Sequence, residues 1–388
     1  MECAKTHESG HSKPSSLSRI ENLGTQVQKA LPFAVLGALW CMLIASLSQH
    51  WAASPQYSFG WLVPVSCVYL FIERWRTRPA AGLENSAIAR WVFWTATFAV
   101  LPTWLALQSN PDWRCMAWVL AAEVVSVTLC AIHFIGGNSW LRHFAFSVCF
   151  IFASVPWFAS VENFVTQGLA QAATVVTVAM LNLLHIAAVQ HGNVIQIKTG
   201  WLGIDEACSG IRSLQAIFVV SLFLGEIYRA PWARRIALVL GGALIAFVCN
   251  VGRTFALSAV AAKSGIEAIS SWHDPLGIAA FGLCLLLVWG LVGLVSGPLP
   301  KPIPSKSAAV NVFPRHLAFG LGGWILFTVV GTEVWYRSHE TDEKARWSVA
   351  WPADKKDFSE VKLSERELDP LACNERRSAE WTNSDRSH

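Results

Sequence analysis

The sequence predicts an all-α polytopic membrane protein of about nine transmembrane helices, within a range of eight to ten, and two observations predict it. Of 388 residues, 53% are hydrophobic and only 14% charged, where a soluble domain carries about 25% charged residues. Twenty tryptophans, twenty-one phenylalanines and a mean hydropathy of +0.41 would need a drier interior than one soluble core provides before it splits into domains, at about 250 to 300 residues. A lipid bilayer is the solvent that fits.

Residues 1–29 are polar and Ser-rich, with Lys5, Lys13, Arg19 and Lys29. They are too long and polar for the head of a cleaved signal peptide and read as a cytoplasmic tail. Apolar windows able to cross about 30 Å of hydrocarbon follow near 30–49, 60–75, 88–107, 115–135, 140–158, 207–228, 234–262, 276–297 and 315–336. The second is short. Residues 159–190 have a helical pattern but carry Glu162, Asn163, Gln167, Gln171 and Asn182, which predicts an interfacial or re-entrant helix. Residues 298–313 form a Pro/Lys/Ser linker, and 337–388 a polar tail.

Positive charge sets the orientation, because Lys-rich and Arg-rich loops stay in the cytoplasm. With the N-terminus inside, fifteen of the thirty basic residues fall in cytoplasmic segments. Only Arg114, Lys198 and Lys263 fall in outer loops. Cys208 then begins the sixth span at its outer end, Arg253 lies near the outer end of the seventh, and His273 precedes the eighth on the same side. Three reactive side chains, distant in sequence, converge on one membrane face.

The ten cysteines show no CxxC or Cys/His spacing, which argues against a metal site and a disulfide scaffold alike. A net charge of +4 without a basic stripe gives no reason to expect nucleic acid. No cofactor is called for. Val194–Ile197 and Trp201–Asp205, separated by Lys198-Thr199-Gly200, predict a small extracytoplasmic hairpin that delivers Cys208 to a helix start. A thiol there gains thiolate character from the positive end of the helix dipole, although Asp205 and Glu206 oppose this. Arg212, four residues on, would share its helix face; it either holds the thiolate, pairs with Glu206 or snorkels to the interface. In VCNVGRTFALS, Asn250 and Arg253 share a face of an apolar helix, where an arginine costs about 2.5 to 3.5 kcal/mol. In SWHDPLG, Asp274-Pro275 predicts the cap and first turn of the eighth span. His273 at its mouth fits either an acid/base group or a polar interfacial residue. Glu123, mid-span, reads as a structural group.

These residues resemble the exosortase/archaeosortase family of membrane cysteine transpeptidases, in its bacterial exosortase form. The resemblance rests on GWLVPVSCVYLFIERW, the segment from VPW to HGN, EACSGIRSL, NVGR and the following His, and covers about residues 30–297. It implies a catalytic set of Cys208, Arg253 and His273, with Arg212, Asn250 and Glu206 in support. It further implies a multi-pass protein of the bacterial inner membrane with its site facing the periplasm. The implied partners are exported proteins ending in a PEP-CTERM-like signal: a short motif, a transmembrane helix and a basic cluster. Residues 314–336 would add a helix to the core. Residues 337–388, with WSVAWP and LDPLACNE, resemble a truncated exosortase-associated domain. Two other classes compete. A transporter or channel would line a pathway with Arg253, Arg212 and Glu123, and a non-catalytic scaffold would tolerate loss of the thiol.

The orientation is testable in a variant retaining Cys208 as its only cysteine. A membrane-impermeant maleimide is expected to label it in intact spheroplasts, and labelling from the cytoplasmic side alone would reverse the topology.

Overall fold

The computed structural model describes residues 16–82, 84, 86–203, 210–296, 313–339, 358–361 and 378–381. Cys208, Glu206, Asp205 and the 298–312 part of the linker lie outside the described residues, as do residues 1–15 and most of the 337–388 tail. The elements in order are α1 (Ser16–Ala53), a 3-10 turn (Pro55–Trp61), α2 (Leu62–Arg76), α3 (Ala87–Ser109), α4 (Arg114–Cys149), a second 3-10 turn (Phe150–Ser154) and α5 (Ala159–Leu183). Strands β1 (Ala188–His191), β2 (Val194–Ile197) and β3 (Gly200–Gly203) follow, then α6 (Ile211–Ile227), α7 (Trp232–Ser264), α8 (Ala268–Ser296) and α9 (Arg315–His339). The all-α polytopic membrane class is borne out. Six of the described helices are long and apolar enough to cross a membrane: α1, α4 with its 3-10 extension, α5, α7, α8 and α9. Length and apolarity alone therefore do not establish a count of nine.

Contacts refine that count in both directions. A straight helix over 114–154 would span about 60 Å at 1.5 Å per residue, twice the hydrocarbon thickness. The chain instead reverses at Gly137, whose φ of 71° and ψ of −167° suit a residue without a Cβ. The reversal is visible in what the two arms share: Arg114 Nη1 donates to the carbonyl of Trp157 at 2.9 Å, and Trp118 Nε1 to that of Pro156 at 2.8 Å. The 115–135 and 140–158 windows are thus two antiparallel arms.

Helix α5 has the length of a span, yet both its ends sit at one end of the bundle. Glu162, in its first turn, is paired with Arg114 at the start of α4. At its far end, Leu181 and Ala188 pack with Ala261, in the last turn of α7. The interfacial reading of 159–190 agrees with these contacts. Beyond α5, the strands form an antiparallel sheet in the order β1-β2-β3. The expected β2–β3 hairpin is present, with Ile197 opposite Gly200. Strand β1 is additional, turning into β2 through Gly192 and Asn193 with His191 opposite Val194. Thr199 Oγ1 fastens the sheet to the Ala261 carbonyl at 2.9 Å.

The main core joins α1 to α4 and receives Phe313, Leu317, Leu321 and Ile325 from the start of α9. A second small cluster, Ile217, Ala246, Cys284 and Val288, joins α6, α7 and α8. At the end of the bundle opposite α5, a buried ion triad ties three helix termini together. Glu226, 3% exposed, pairs with Arg74 of α2 and, at 2.7 Å, with Arg235 of α7. His143 Nε2 donates to the Arg74 carbonyl at 2.8 Å. Residues 336–388 form a separate unit, in which Ser359–Glu360 pairs antiparallel with Ala379–Glu380.

Removing one member of a buried ion cluster strands the others, at a cost of about 3 to 5 kcal/mol. Glu226→Ala is therefore expected to lower the unfolding temperature of the detergent-solubilised protein by several degrees. An unchanged transition would show that the triad holds nothing together.

Candidate active site

A cavity of about 1190 Å³ opens at the α5 end of the bundle. The 3-10 turn over Pro55–Trp61, the first turn of α6, α7 from Cys249 to Arg253, and α8 from His273 to Cys284 build its walls. Its polar lining includes Gln56, Ser58, Arg212, Asn250, Arg253, His273 and Asp274, and its apolar lining Phe59, Leu62, Ile278 and Phe281.

Within it, Arg253 Nη2 lies 2.7 Å from His273 Nε2, and His273 Nδ1 lies 2.9 Å from Asp274 Oδ1. A guanidinium has donors only, so the imidazole must accept at Nε2. Its ring proton then sits on Nδ1 and is donated to the carboxylate. Asp274 thereby fixes both the tautomer and the ring orientation, and Arg253 and His273, twenty positions apart, form one hydrogen-bonded unit. Burying a guanidinium without acceptors is costly, and this bond meets part of that cost.

Gly210 caps α6 in the left-handed region, at φ 85°. A Cβ there would stand 2.6 Å from the side-chain carbon of Asn250, so the start of α6 rests directly against α7. Asn250 is only 5% exposed. Arg212, in the first turn of α6, reaches toward Ser58 Oγ at 3.5 Å. The expected sharing of a face by Cys208 and Arg212 falls on Cys208, outside the described residues; the described helix α6 runs from Ile211, after the left-handed Gly210. Asp274-Pro275 is not a helix start. Gly265, at φ 90°, ends α7 and lets α8 begin at Ala268, so Pro275 is accommodated inside the helix.

Sequence reasoning missed the bracket behind the cavity wall. Gln56 Nε2 donates to Glu162 Oε1 at 2.9 Å and Tyr57 Oη to Glu162 Oε2 at 2.7 Å, while the Trp157 amide donates to Tyr57 Oη at 3.1 Å. Burial, and then the Glu162 acceptor, push the Tyr57 phenol up to about 12, so it stays a donor throughout the physiological range. The bracket fixes the segment carrying Gln56, Ser58 and Phe59. The Glu162 carboxylate was visible in the sequence, but its partners lie on two other elements. Glu123 is outside the cavity, buried in the main core and accepting from Thr103 Oγ1 at 2.7 Å. No cluster of metal-ligating side chains occurs among the described residues.

The profile of the transmembrane exosortase family (Exosortase_EpsH) matches residues 51–290, the stretch that builds this cavity. The chain belongs to the transmembrane exosortase family. No curated protein and no solved structure matches it. Membership makes this exosortase a multi-pass protein of a lipid bilayer and supports membrane sorting transpeptidation as its general activity.

Gly210→Ala would force a left-handed Ala, at about 1 to 2 kcal/mol, and overlap Asn250 as well. The variant exosortase is expected to lose thermal stability and at least tenfold of its processing rate. Parent-like values in both would show that the contact between Gly210 and Asn250 does not position α6.

Proposed function

We propose that this exosortase cleaves C-terminal PEP-CTERM-like signals of exported proteins through an acyl thioester on Cys208, with Arg253 and His273 completing the catalytic set. The observation that carries the reading is the hydrogen-bonded unit of Arg253, His273 and Asp274 inside a cavity lined by Gly210 and Arg212. In the sequence Cys208 precedes the cavity-lining Gly210 by two residues, which supports its assignment to this site.

In this mechanism a substrate carbonyl draws the Arg253 guanidinium to its oxygen, where the planar donor fork stabilises the developing negative charge. That movement uncovers the His273 Nε2 lone pair, which takes the Cys208 proton. The thiolate adds to the scissile carbonyl, and the departing amine recovers the proton from His273. An acceptor amine, or water, then attacks the thioester and regenerates the thiol. Asn250 supports the fold of the site against Gly210, while Arg212 and Glu206 tune the surroundings of the thiol.

The proposed setting is the bacterial inner membrane, with the N-terminus in the cytoplasm and the cavity facing the periplasm. Charge distribution supports it. The end of the bundle opposite the cavity holds Arg74, Arg76, Arg78, Arg142, Arg229, Arg234 and Arg235, the excess expected of a cytoplasmic face. The substrate's signal helix would lie in the bilayer with its motif at the cavity. The proposed domain division keeps 30–297 as the catalytic core, with 314–336 as an added helix and 337–388 as a truncated associated domain.

Co-expression with a reporter carrying a sorting-type tail tests the mechanism. Cys208→Ala is expected to abolish processing and Arg253→Lys to reduce it at least a hundredfold, because a point charge cannot replace the fork. Parent-like processing by Cys208→Ala would end the thiol mechanism.

A further inference from the structure

We propose that Cys249 and Cys284 form an oxidisable thiol pair in the cavity of the exosortase, closing to a disulfide that ties α7 to α8. Both side chains line the cavity, both are free thiols, and Cys249 packs against the buried cluster of α6, α7 and α8 that contains Cys284. Bonded sulfurs stand about 2.05 Å apart, and the pair sits on two helices that already pack against each other, so closure asks for an approach of neighbouring side chains. Of the other described cysteines, Cys41, Cys67, Cys115, Cys130 and Cys149, none lines the cavity.

The two thiols have unequal access, and this orders the chemistry. Cys284 is 1% exposed, whereas Cys249 is half-buried and meets a reagent first. The oxidant is an external disulfide, RSSR. The Cys249 sulfur attacks one sulfur of RSSR, the external S–S bond breaks, and the departing RS⁻ takes up the proton that Cys249 gives up. The Cys284 sulfur then attacks the Cys249 sulfur of this mixed disulfide and expels the second RS⁻, which takes the Cys284 proton. Two protein thiols are oxidised, and one external disulfide is reduced to two thiols.

The consequence for the site follows from helix geometry. Cys249 precedes Arg253 by four residues and shares its face of α7, and α8 carries both Cys284 and His273. The disulfide therefore clamps the two helices one turn from Arg253 on α7 and about three turns from His273 on α8. Disulfides persist in oxidising compartments, so a role in the cell rests on the periplasmic orientation proposed above. The chemistry itself needs neither that orientation nor the sorting reaction.

The test uses the full-length exosortase in membranes, treated with dithiodipyridine, quenched with N-ethylmaleimide and digested without reduction for mass spectrometry. The expected result is a peptide linking Cys249 to Cys284, lost on treatment with dithiothreitol. In Cys284→Ser the linked peptide disappears and Cys249 carries the pyridyl mixed disulfide instead. Recovery of both cysteines in the parent as maleimide adducts, or as two separate mixed disulfides, would overturn the proposal whatever the variants do in a sorting assay.

Discussion

A charge inside an apolar bundle must be met by an acceptor, and the architecture of this exosortase is organised around its arginines. Arg74 and Arg235 converge on Glu226 and thereby fasten α2, α6 and α7 at one end of the bundle. At the other end, Arg114 holds Glu162 and so brings together the start of α4, the turn around Tyr57 and the start of α5. Arg253 is met by an imidazole, which in turn is held by a carboxylate. Each guanidinium gathers backbone from several parts of the sequence, because one side chain cannot satisfy five donors.

The two carboxylate clusters and the imidazole pair do different work. A guanidinium locked to a buried carboxylate loses heavily if it moves, which suits a joint. A bond to a neutral ring nitrogen is easier to exchange for another acceptor, which suits the turn toward a carbonyl that the proposed mechanism asks of Arg253. The Arg114–Glu162 joint stands behind the cavity wall, the Glu226 joint closes the opposite end, and the exchangeable bond lies inside the cavity. This division locates the adaptable part of the bundle where α7 faces α8.

Much of this was legible in the sequence because the bilayer imposes simple rules. Apolar windows marked the two arms that meet at Gly137, since a reversal was the only way to fit 41 residues into the hydrocarbon. The β2–β3 hairpin followed from Lys198-Thr199-Gly200, and the cavity does bring Arg253 and His273 together. What failed were boundaries. Asp274-Pro275 looked like a helix start because proline is favoured there, but the left-handed Gly265 upstream decided the matter. The Tyr57 bracket and the Glu226 triad had no local signature, because Tyr57 meets Glu162 and Arg74 meets Glu226 across more than a hundred positions.

The side chain of Asp274 is 85% exposed, against 33% for its imidazole partner. A ring that accepts at one nitrogen and donates at the other can take up a proton without letting go of its carboxylate. In the proposed mechanism the charge that His273 carries between thiol and amine would therefore be faced by an acid group that bulk solvent already reaches.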